Sequence, residues 1–186
     1  MAKINIEPQV GLTISASNGI NIVLIVTDKY ADILHSTHIQ IGKKNQHDTF
    51  KNLLDNITLL IEEYDIDTII MEQNKLFIDK IEKYPDPYVL QDILTRYKIN
   101  TLVHYTFYDK VKYIFELPEQ EWRSKILNKL TRYAIDLYKN HIMYKLHSDE
   151  QISTYEKFNY YKCACLSESI LYDSLMNKKY LTNKEN

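Results

Sequence analysis

The chain has 186 residues, 45% of them hydrophobic and 26% charged, with a formal net charge of -2; that length suits one domain with one sizeable core. A balance so near neutral excludes a globally basic nucleic-acid binder, so any such activity must come from a local patch. No run approaches the ~20 apolar residues of a membrane span, and the opening MAKINIEPQV lacks the apolar run of a signal peptide, so a cytoplasmic protein without membrane contact is expected.

Residues 8–16 alternate, with Val10, Leu12, Ile14 and Ala16 on one side and Gln9, Gly11, Thr13 and Ser15 on the other. That is the pattern of a half-buried strand whose polar side can line a site. The turn residues SNG (17–19) lead into a mostly apolar second strand over 20–27. DKYAD (28–32) reads as the next turn and ILHSTHIQI (33–41) as a third strand, which completes an antiparallel meander.

The period then changes. Phe50, Leu53, Leu54, Ile57, Leu60, Ile61 and Tyr64 fall at helical spacing, predicting a helix over about 47–64 with Asp48 near its start. DTIIMEQ (67–73) is a short apolar strand ending in a carboxylate. PDPYVLQDILTRYK (85–98) opens on proline punctuation and continues as a helix, and NTLVHYTF (100–107) reads as a fifth strand.

The remainder reads as helical. Pro118 stands at a helix start with Glu119 and Glu121 suited to its N-terminal dipole, and Trp122, Ile126, Leu130, Tyr133 and Leu137 form one stripe. Residues 141–152 are loop-like, a last helix spans about 153–178, and 181–186 form a flexible tail to a single domain over 1–180. Cys163 and Cys165 stand two apart on that helix, pointing different ways, which argues against a mutual disulfide. The six His are scattered without metal-ligand spacing, and the sixteen Tyr are spread along the chain as core and rim. The order βββαβαβαα describes an α/β domain with a five-stranded mixed sheet and helices on both faces.

That order is the RNase H-like order. VGLTISASNGINIVLIV resembles the opening of RuvC-type Holliday junction resolvases, above all the poxvirus-type branch, in which an Asn follows the first-strand aspartate as Asn18 does here. DTIIMEQ is similar to the family's fourth strand, with its catalytic glutamate. HYTFYDKVKYIFELPEQEWRSKIL resembles the fifth strand and following basic segment, and CACLSESILYDSLM the last helix with two acids three apart. Carried over singly, Glu72 matches the strand glutamate and Glu168 the second helical acid, while Thr13 and Cys165 replace the other two acids and Ser15 a usual glycine.

The resemblance implies a homodimer that cuts branched DNA with Mg²⁺ or Mn²⁺. Glu72 and Glu168 would hold the metal, with Thr13 or Asp109 completing an unusual catalytic site. Lys110, Lys112, Arg123, Lys125 and Lys129 (with Arg132) would contact the phosphate backbone. Two of four acids are replaced by neutral or soft groups that Mg²⁺ does not favour. The alternative is therefore a pseudo-enzyme that keeps the fold as a DNA-structure binder or protein-interaction module. The Ile, Lys and Asn content and the small size suit a phage or viral source.

Overall fold

The structure is a computed structural model that describes residues 9–17, 21–30, 32–40, 46–73 and 87–118. Its elements are β1 (Val10–Ser17), β2 (Asn21–Asp28), β3 (Ile33–Gln40), α1 (Gln46–Tyr64), β4 (Thr68–Glu72), α2 (Pro87–Phe107) and β5 (Tyr113–Leu117). The sheet order is β3-β2-β1-β4-β5. The first three strands pair antiparallel as the meander requires, and β4 and β5 add in parallel to β1. Among the described residues, no helix is long and apolar enough to cross a membrane.

Alternation along the strands sorts the core. Leu12, Ile14, Ile22, Leu24, Ile69 and Met71 join Leu53, Ile57 and Leu60 of α1 and Ile99, Val103 and Phe107 of α2 in one cluster. Both described helices thus cover the same face. The intervening residues Thr13, Ser15, Val23, Ile25, Ile70 and Glu72 face the other way, and they too are buried. Burial on both sides explains why β2 and β4 read as near-continuous apolar runs.

One expected element is overturned. Residues 100–107 are not a strand but the second half of α2, and the fifth strand is Tyr113–Leu117. Ile99, Val103 and Phe107 recur every four residues and fill the core, while Thr101 and Tyr105 between them are exposed; a strand's two-residue period would put all five on one face.

The connections are tied down locally. α1 ends on Asp65 at φ 53, with the Ile66 amide donating to the Ile61 carbonyl at 3.3 Å. This is a left-handed helix cap closed by a six-to-one bond. At the start of β4, the Asp67 carboxylate accepts from the backbone amides of Gln9 (3.1 Å) and Val10 (3.4 Å) and from Thr68 Oγ1 (2.8 Å). The Asp67 carbonyl accepts from the amides of Lys112 (2.9 Å) and Tyr113 (3.1 Å). One residue therefore fastens the beginnings of β1, β4 and β5 together, which helps to set the parallel register, and Glu72 lies at the opposite end of β4.

Candidate functional site around Glu72

Register decides which side chains meet. Thr13 of β1 pairs with Ile70 of β4, and Ile14 with Met71. Since alternate residues share a face, Thr13, Ser15, Ile70 and Glu72 project from the same side of the sheet. Glu72 lies two residues beyond Thr13's partner, a diagonal of about 8 Å between backbones. One more step of the register sets Ser15 directly beside Glu72. Thr13 and Glu72, distant in sequence, thus share one face, and the nearer hydroxyl belongs to Ser15.

All three are withdrawn from water: Thr13 is 0% exposed, Ser15 1% and Glu72 8%. Ser15 Oγ has no hydrogen-bond partner among the described residues. A carboxylate so buried needs a counter-charge, and α2 supplies it. Arg96 Nη1 lies 3.4 Å from Glu72 Oε2, its side chain 27% exposed. One helical turn on, Asn100 Nδ2 donates to the Glu72 carbonyl at 3.0 Å. Arg96 and Asn100 stand four apart on one face of α2, so the helix grips the end of β4 at both its side chain and its backbone.

Arg96 and Asn100 were not legible as site residues. Arg96 sits among helix-forming residues with nothing in the local pattern to mark it, and Asn100 fell at the start of the supposed strand. Their only sequence signal is their spacing of four, which acquires meaning once residues 87–107 are one helix.

The other sequence candidates are placed elsewhere or lie outside the described residues. Asp109 falls in the turn between α2 and β5, whose end is held to the Asp67 carbonyl. This is the opposite end of β4 from Glu72, about 13 Å along the strand, and the fold does not bring the two acids together. Lys110 and Lys112 share that far end, and Lys110 Nζ lies 5.4 Å from the centre of the Phe107 ring. Glu168, Cys165, Arg123, Lys125, Lys129 and Arg132 lie outside the described residues.

The donor set has a plain chemical meaning. Among the described residues no group of three or more His, Cys, Asp or Glu side chains could hold a metal ion. Mg²⁺ requires several hard, preferably anionic oxygens in octahedral array. The described site offers one carboxylate, already facing a guanidinium, and two neutral hydroxyls. These residues do not fit a two-cation centre.

A second feature lies between α2 and β5. His104 Nε2 and Glu116 Oε1 pair at 3.0 Å, in a groove of about 470 Å³ that also takes in Asn100 and Tyr97, Tyr105 and Tyr108. Asn100 therefore borders the groove while its amide reaches the Glu72 backbone.

No model of a known protein family matches the sequence, and no curated protein matches it. Solved structures do match the fold. RuvC of T. thermophilus in complex with a Holliday junction substrate superposes with TM-score 0.59 at 8% identity, covering 90% of this chain and 96% of that one. The yeast mitochondrial Holliday junction resolvase Ydc2 gives TM-score 0.57 at 16% identity, covering 91% of this chain and 80% of that one. The chain has the RuvC-like form of the RNase H-like fold.

Proposed function

We propose that the chain recognises branched DNA as a two-fold homodimer, and that its Glu72 site has given up two-cation hydrolysis. The observation that carries the first half is the fold match over nine-tenths of the chain to RuvC on a Holliday junction. A four-way junction has four strands related in pairs by a two-fold axis, and a symmetric pair of subunits is the matching reader. Support for the second half is chemical: hydroxyls at Thr13 and Ser15 and the Arg96 guanidinium against Glu72.

The outer face of α2 supports self-association. Leu94 is 44% exposed, Tyr97 50%, Tyr105 83% and Tyr108 71%. At ~150–250 Å² for a whole aromatic side chain, the three tyrosines alone offer on the order of 400 Å² of open surface. That is about half of the ~800 Å² each partner gives to a standard interface. Two copies of a 21-residue helix can lie against each other along this stripe, each contributing the same residues.

A second reading is a divalent-metal-dependent junction endonuclease with Mg²⁺ or Mn²⁺ held by Glu72 and Glu168. Glu72 favours it, being a buried carboxylate at the carboxyl end of a central parallel strand, where open α/β sheets bind ligands. A labelled four-way junction with Mg²⁺ or Mn²⁺ separates the two. The proposal expects binding without cleavage by the wild type, and cleavage absent also in Glu72→Gln. Cleavage by the wild type that disappears in Glu72→Gln would establish the nuclease instead. A wild type that neither binds nor cuts the junction removes DNA from the reading altogether.

A further inference from the structure

We propose that α2 carries a self-complementary contact centred on Thr101, through which the partner's Tyr97 enters the groove between α2 and β5 and sets its hydroxyl on the His104–Glu116 pair. The inference rests on the second-copy half of the proposed function and not on DNA. It starts from a symmetry in the outer stripe of the helix. Leu94 and Tyr97 precede Thr101 by seven and four residues, and Tyr105 and Tyr108 follow it by four and seven. Steps of four and seven stay on one helix face at 3.6 residues per turn. Tyr108 keeps the spacing because its amide still donates to the His104 carbonyl at 3.1 Å. All five residues are exposed.

A two-fold contact between antiparallel helices sets each position level with the one equally far beyond the axis, so that i meets j and j meets i. With the axis at Thr101, Tyr97 comes level with the partner's Tyr105, and Leu94 with the partner's Tyr108. No residue of the stripe is charged, so the axis brings no like charges together. Thr101 suits the crossing point. It is the smallest of the five, which lets the helices approach. Its Oγ1 already donates to the Tyr97 carbonyl at 2.9 Å, so burying the hydroxyl strands no donor. The groove of about 470 Å³ borders this stripe and takes in Tyr105, His104 and Glu116. A side chain arriving level with Tyr105 therefore arrives one residue from His104. A tyrosine buried there needs a partner for its hydroxyl. The His104–Glu116 pair, 44% and 29% exposed, supplies it, since His104 Nε2 engages Oε1 and a carboxylate accepts at two oxygens. Seating a tyrosine in each groove adds the groove walls to the open stripe, which by itself reaches about half of a standard interface.

The test reads the centre and the groove separately, on the full chain. In a Cys163→Ser/Cys165→Ser background, Thr101→Cys should cross-link into a covalent dimer under mild oxidation, because position 101 alone faces itself. Leu94→Cys and Tyr105→Cys should not, since they lie roughly 21 and 12 Å from their own counterparts, beyond the ~7 Å that a disulfide spans. The groove is read in the native-cysteine chain, so it stands if that background does not fold. Tyr97→Phe and Glu116→Gln should each raise the dimer dissociation constant about five- to tenfold in sedimentation velocity. The double variant should lose no more than the larger of the two, as expected of one shared contact. Should Glu116→Gln fail to fold, His104→Gln takes its place in the cycle. A wild type that stays monomeric up to about 100 µM overturns this inference together with the homodimer. A dimer in which Thr101→Cys does not cross-link, or cross-links no better than Leu94→Cys and Tyr105→Cys, overturns the Thr101 centre. An unchanged constant in Tyr97→Phe, or losses that multiply in the double variant, overturns the seat of Tyr97. In either of these last cases the homodimer itself stands.

Discussion

Ser15 shows how a single residue's chemistry separates a structural site from a catalytic one. Its hydroxyl is buried on the same face as Glu72, with no hydrogen-bond partner among the described residues. Burying a hydroxyl uncompensated costs about 1–3 kcal/mol, so Ser15→Ala should leave stability unchanged or raise it by up to about 1 kcal/mol in urea unfolding. A drop of more than about 1 kcal/mol would mean that the hydroxyl is satisfied and contributes to the fold. Glu72 is the opposite case. Arg96 helps to make its burial tolerable, and removing either member takes a charge partner from the other. The same position thus carries both the site's charge and part of its architecture.

Among the elements, α1 and α2 differ in how plainly they declare themselves. In α1 the apolar residues other than Leu59 occupy one side, so the helical period stands out. α2 is apolar on two sides: Ile99, Val103 and Phe107 face the core, while Leu94, Tyr97 and Tyr105 face outward. With both stripes filled the helical period disappears, and the β-branched and aromatic residues from Thr101 to Phe107 bias the local reading toward a strand. Helix ends carry their own information. Asp65 holds φ 53 at the cap of α1, a conformation that costs a residue with a Cβ. Asp65→Gly should therefore raise stability by about 0.5–1 kcal/mol, measured as a shift in the denaturant midpoint at constant slope; an unchanged or lower midpoint would show that the Asp side chain compensates locally.

At the scale of the whole molecule, the tyrosine-rich outer face of α2 calls for a partner, because exposed apolar surface of several hundred Å² marks an interaction site. With a second copy as that partner, Leu94→Glu/Tyr97→Glu should convert a dimer to a monomer in sedimentation velocity at micromolar concentration. Both residues are half exposed and outside the core cluster, so the fold itself should persist by circular dichroism. A wild type that sediments as a monomer up to about 100 µM would rule out this face as the dimer contact.

The amino-acid sequence alone determined the meander, α1, β4 and the placing of Glu72 at a strand end, because two-residue and 3.6-residue periods and turn residues are local properties. It also supported the RuvC-like order, since the succession of elements survives even where sequence identity to the solved relatives is only 8–16%. Only the tertiary structure decided that 100–107 is helical, that Ser15 stands nearer Glu72 than Thr13 does, that Asp109 lies at the wrong end of the sheet, and that Arg96 is the carboxylate's partner. Each of these depends on strand register or on which helix face meets the sheet, and both are settled by packing between segments far apart in the chain rather than by any residue's own preference.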